Sequence, residues 1–156
     1  MKLPGTSERV TMHTDKEINR EIMVSLEQRL WYYLDHPEKI DDRLLALQRE
    51  WDVERAIEAN ASSLALAGLL LGFSVSRKFL LLPTVVAGFL LQHSLQGWCP
   101  PVPILRRLRI RTQGEIELER YALKALRGDF AAFDKPAPAT GRDRDLPGEV
   151  LEAVQK

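Results

Sequence analysis

Few side chains in this chain have the type and spacing that chemistry needs. The single thiol, Cys99, stands in Gly97-Trp98-Cys99-Pro100-Pro101. A reactive cysteine, for redox or persulfide relay, needs its pKa lowered by a helix N-terminus or by cations. Cys99 instead follows an expected helix C-terminus, whose dipole opposes a thiolate, although Arg106 and Arg107 lie close in sequence. The other reading is a small packing residue in a tight turn. His93 lies between Gln92 and Gln96. In lipid these polar groups are functional suspects; at headgroup depth they are unremarkable. A lone histidine has no second ligand at metal spacing, so neither a metal nor a cofactor is expected. Glu115, Glu117 and Glu119 read as a solvated helix face. With no Gly-rich phosphate loop, no Ser-His-Asp set and no HExxH, the expectation is a protein that is not an enzyme.

The elements that position these residues follow from charge segregation. The 156 residues carry 22 basic and 22 acidic side chains, so no net field recruits nucleic acid. Residues 61–105 hold only Arg77 and Lys78 as fixed charges, whereas both flanks are charge-rich. One cysteine excludes an internal disulfide. No cationic start followed by a short apolar run is visible, so a cleaved signal peptide is not expected.

Residues 1–13 show no periodicity and read as a loose leader. Thr14-Asp15-Lys16-Glu17 reads as a capping box. It precedes the four-residue stripe Ile18, Ile22, Leu26, Leu30, Leu34 of an amphipathic helix. A second helix from Pro37 or Asp41 carries Ile40, Leu44, Leu47 and Trp51, and the short gap predicts an antiparallel pair. This helix either runs on through Arg55 and Glu58 or bends near residues 60–63. Thr112-Gln113-Gly114-Glu115 is a second capping box, opening a helix through Ile116, Tyr121, Leu123 and Leu126 that Gly128 closes. Residues 131–156 read as a flexible tail, with a weak final helix from Pro147 as an option.

The central tract is apolar on every face from Leu64 to Phe73. Such a helix is buried in a large protein or in lipid, and this chain is small. Counted with interfacial residues, 57–76 and 79–98 each reach the roughly 20 residues of a bilayer span. Pro83 falls in the first turn or so, where proline is tolerated. Arg77 and Lys78 form a basic tip able to snorkel, and Trp98 marks the far interface. The competing reading is a soluble helical bundle with this tract as its core.

Gly68 and Gly72 form a GxxxG that Ser76 extends, with Gly88 on the second helix. Small residues let helices approach closely in lipid. The contact is either between chains or within the hairpin, where Thr84 and Gly88 would take part. Arg106, Arg107, Arg109 and Arg111 beside the membrane exit read as headgroup ligands. With Arg43, Arg49 and Arg55 they outnumber the tip pair, which places both termini in the cytoplasm.

The "VERAIEANAS" lead-in, two short apolar helices and the "GWCPP" exit resemble the YgaP-like transmembrane domain family of bacterial inner-membrane proteins. The matching residues are Arg55, Asn60, Gly97, Cys99 and Pro100, within residues 52–105. The resemblance implies an inner-membrane helical hairpin that self-associates and has no established catalytic role. Some members carry a rhodanese domain, for which this chain has no room, so sulfur chemistry does not carry over.

The expected protein is therefore all-α. An amphipathic helical hairpin (1–56) leads to a transmembrane hairpin (57–105), a basic cytoplasmic helix (106–130) and a tail (131–156). Its expected partners are membrane lipids, a second copy and an unidentified protein that its flanks would scaffold. The alternatives are an accessory to sulfur or redox metabolism acting through Cys99, and the soluble bundle.

Overall fold

A computed structural model describes residue 5, residues 8–131 and residue 154. Among the described residues every regular element is helical. The expected tail lies outside them, apart from Val154.

Helix α1 spans Lys16–Asp35. Its N-cap is Asp15, whose carboxylate accepts from the Glu17 amide at 2.8 Å. The expected Thr14 capping box does not form, because the Thr14 hydroxyl donates to the Val10 carbonyl at 2.8 Å. A 3-10 turn at Pro37–Lys39 leads into α2, Ile40–Arg49. Glu50 to Asp52 then leave the helical path. The Asp52 carboxylate caps α3, Val53–Ser74, by accepting from the Arg55 amide at 2.6 Å. The chain thus breaks before residue 53, and α3 runs without a bend through residues 60–63.

A 3-10 turn at Arg77–Leu80 reverses the chain into α4, Leu81–Gln96. Gly68 and Gly72 of α3 face this return arm. A β-carbon on Gly68 would stand 2.5 Å from Pro83 Cδ, and one on Gly72 would overlap Leu80. The GxxxG therefore seats the hairpin's own arms. Gly88 has nothing within 4 Å of that position, and Ser76 is extended backbone at the tip. Thr84 turns its hydroxyl back to the Leu80 carbonyl, 3.0 Å away.

Gly97 ends α4 in the left-handed region at φ 78°. Helix α5, Pro101–Arg107, follows with proline in its first turn, where the missing amide costs nothing. Here the exit prolines start a helix, after Gly97 has already ended the one before. Helix α6, Gln113–Arg127, opens on the expected Thr112–Glu115 capping box, with both reciprocal bonds made, and closes at Gly128, φ 90°.

Two small cores result. Ile40, Leu44 and Leu47 of α2 meet Ile116 and Leu123 of α6, with Leu30 and Tyr33 of α1 against them. The two N-terminal helices thus share α6 as a partner across the apolar tract. The second core joins Val10, Val53, Ile57, Cys99 and Val102 at the base of the hairpin. Val10 is 1% exposed, so the segment just before α1 is a strap built into this core. It is no loose leader: its Arg9 backbone lies where a β-carbon on Gly97 would go.

The hairpin rises from this body with its apolar side chains uncovered. Two helical segments, ending at Ser74 and Gln96, each contain an 18-residue stretch apolar enough to cross a membrane. Only 22% and 6% of those stretches are buried, which is the reverse of a soluble core helix.

Candidate functional site

The polar groups that matter converge beneath the hairpin, between α1, α2, α5 and α6. Arg106 is fully buried on the last turn of α5. Its guanidinium fork donates to both Glu115 oxygens at 2.7 Å. The remaining donors reach the Thr14 hydroxyl at 3.1 Å, the Asn19 side-chain oxygen at 3.0 Å and the Ile110 carbonyl at 3.1 Å. All five N–H groups are thereby satisfied, which a buried cation requires. One guanidinium ties the strap, α1, α5 and α6 together.

Glu119, two turns into α6, is fully buried. It accepts from Arg43 at 2.8 Å, from Arg29 at 3.0 Å and from Arg111. Burial alone would raise this carboxyl. The hydrogen bonds from Arg43 and Arg29, with the charge and bond of Arg111, overcome that and bring it down to about 2. Arg111 also makes a bidentate pair with Glu50, both bonds at 2.7 Å. Its carbonyl accepts from the Val53 amide at 2.9 Å, fixing the root of α3.

This lattice corrects two expectations. Glu115 and Glu119 are interior, at 8% and 0% exposure, and do not form a solvated face. Arg106 and Arg111 are likewise turned inward, at 0% and 5%, because their forks are committed to carboxylates within the protein. Neither is a headgroup ligand; Arg107 and Arg109 remain exposed. The missed signal is spacing. Glu119 falls between Ile116 and Leu123 at three- and four-residue steps, on the inward face of α6.

A groove of about 520 Å³ opens over this lattice, walled by Arg29, Arg43, Arg109 and Arg111 with Glu21 and Glu50. Arg109 pairs with Glu21 of α1. It is the one described non-glycine residue with positive φ, 62°, where the chain turns out of α5.

The residues expected to carry chemistry lie elsewhere. Cys99 is 3% exposed in the core at the hairpin base. Burial pushes its thiol up, against a weaker opposing hydrogen bond with the Val102 backbone. A relay needs an accessible thiolate, and burial at Cys99 works against both access and ionisation. It lines an apolar crevice of about 260 Å³ with Ile57, Ala61, Leu64, Phe89 and Pro101. His93 is 6% exposed, so it does not lie open at headgroup depth, and neither ring nitrogen has a hydrogen-bond partner. Gln92 and Gln96 are half-buried beside it in sequence. Arg9 reaches this end of α4, donating to the Ser94 carbonyl at 3.2 Å. Among the described residues no three potential metal ligands converge.

Comparison with family models, with curated proteins and with solved structures finds no match to this chain.

Proposed function

We propose that this chain is a small, non-catalytic bacterial inner-membrane protein, in which a short transmembrane hairpin anchors a charge-locked cytoplasmic helical module. The observation that carries this reading is the uncovered apolar surface of α3 and α4. Leu70, Phe73, Leu81 and Leu91 are 62%, 83%, 67% and 63% exposed, on arms that among the described residues pack mainly against each other. Such a surface in water costs about 25 cal/mol per Å² and drives association or insertion.

Length supports insertion. Helix α4 rises roughly 24 Å, and its leading 3-10 turn adds roughly 8 Å, against a hydrocarbon thickness of about 30 Å. Exposed Arg77 and Lys78 stand at the tip, and the more basic flanks put both termini in the cytoplasm. The module would then act as a scaffold, with self-association through the face of the hairpin left open at Gly88. Membership of the YgaP-like family belongs to the same proposal, resting on Arg55, Asn60 and the Gly97-Trp98-Cys99-Pro100 exit.

Membranes containing the expressed chain, washed with alkaline carbonate, provide the test. The chain is expected in the pellet and to need detergent for release. Recovery in the wash supernatant would overturn the reading in favour of a soluble assembly that covers the hairpin.

A further inference from the structure

The groove over the Glu119 lattice has a charge count that pairing does not close. Arg29, Arg43 and Arg111 converge on only two carboxylates, Glu119 and Glu50. The rim pair Arg109–Glu21 is balanced. One positive charge is therefore in excess, beside a fully buried carboxylate and a 5% exposed guanidinium. A partly desolvated surplus of this kind attracts an anion far more strongly than a surface arginine does.

Donors are available to meet one. Arg43 spends its Nε on Glu119 and faces Glu50 at 3.7 Å with one terminal nitrogen, leaving Nη1 without a partner among the described residues. Arg109 uses only Nη2, on Glu21. Both side chains line the groove. Arg109 also holds its left-handed backbone without being glycine, the residue that the end of a helix favours at such a position. A guanidinium kept there at a conformational cost is accounted for if its side chain has a use.

We propose that this groove binds a phosphoryl group, gripped by Arg43 and Arg109 above the unbalanced arginine lattice. Arginine forks match the oxygens of a tetrahedral phosphate, and several can share its three free oxygens. The space, about 520 Å³, accommodates the substituent of a phosphate monoester as well as the phosphate. The source is either a water-soluble phosphate or the headgroup of a lipid such as phosphatidic acid. The site does not depend on how the hairpin is housed.

The test uses the full chain in nanodiscs of phosphatidylcholine and follows its thermal unfolding. In one arm inorganic phosphate is added against chloride at equal ionic strength. In the other, part of the lipid is replaced by phosphatidic acid. A saturable rise in the unfolding midpoint in the first arm supports a soluble source, and a rise confined to the second supports the headgroup. Arg109→Gly relieves the backbone while removing the guanidinium. Arg43→Gln removes the excess charge and leaves Glu119 with Arg29 and Arg111. Each variant is expected to weaken the response about tenfold, the worth of one charge-assisted hydrogen bond. No response in either arm overturns the proposal, and so does an undiminished response in both variants.

Discussion

Arg106 shows how much one side chain can decide. Removing either member of its pair leaves an unpaired charge inside the protein, which costs about 3–5 kcal/mol. Stabilities of small domains are typically about 5–15 kcal/mol. Arg106→Lys keeps the charge but cannot span Glu115, Thr14, Asn19 and the Ile110 carbonyl with one ammonium. It is expected to lower the unfolding midpoint nearly as far as Arg106→Met, as circular dichroism in detergent would show. Equal stability of Arg106→Lys and the parent would contradict the fork geometry. Glu119 makes a pH prediction. Its folded pKa, about 2, lies below the ordinary carboxylate value of 4.5. The stabilisation is therefore complete above pH 4.5 and is lost as pH falls from there through about 2. The shift corresponds to roughly 3 kcal/mol. Glu119→Gln should be less stable at pH 7 and show a flatter acid limb between pH 5 and 2. An acid limb as steep as the parent's would mean another group carries it.

At the scale of elements, the hairpin's two glycine faces make opposite demands. Gly68→Val places methyl groups against Pro83 and forces the arms apart, whereas Gly88→Val meets open space on the chain itself. The first is expected to lower the unfolding midpoint of the monomer. The second is expected to leave that midpoint unchanged and, if copies meet there, to shift size-exclusion mass in mild detergent from oligomer to monomer. A Gly88→Val protein with unaltered mass would remove that face from the self-association proposal. Much at this scale was legible beforehand. Alternation of charge and apolarity located the hairpin, and the Thr112–Glu115 spacing located the start of α6. Four-residue steps found α1 and α2, and Gly128 marked the end of α6. The strap was not legible. Val10 is a single apolar residue without periodicity, and only the third dimension shows that it completes a core with Val53 and Val102. Periodicity also says nothing of partners, so α1 and α2 read as a pair when both in fact lean on α6.

For the whole molecule, the polar lattice was hidden for the same reason at longer range. Arg29 and Glu119 are 90 residues apart, and Arg106 and Thr14 are 92 apart. A charge is ordinarily solvated, and nothing local marks the few that find distant counter-charges. The sequence boundaries at 56 and 106 therefore divide what the fold unites: α1 and α2 lie against α6 across the hairpin. A chain ending at residue 105 loses Arg106, Arg111 and all of α6, and is expected to be rapidly degraded in cells. Quantitative immunoblotting of this truncation beside the full chain decides it, and comparable abundance would show the N-terminal helices to be self-sufficient.

The long-range fork at Arg106 also imposes an order on biosynthesis. Everything before the hairpin leaves the ribosome without the counter-charges that hold it, and those arrive only after both arms have emerged. Until then Leu44 and Leu47 lack Ile116 and Leu123, the α6 residues they pack against. The contacts that bury them form only once α6 has emerged, so the clasp closes after both arms of the hairpin are complete.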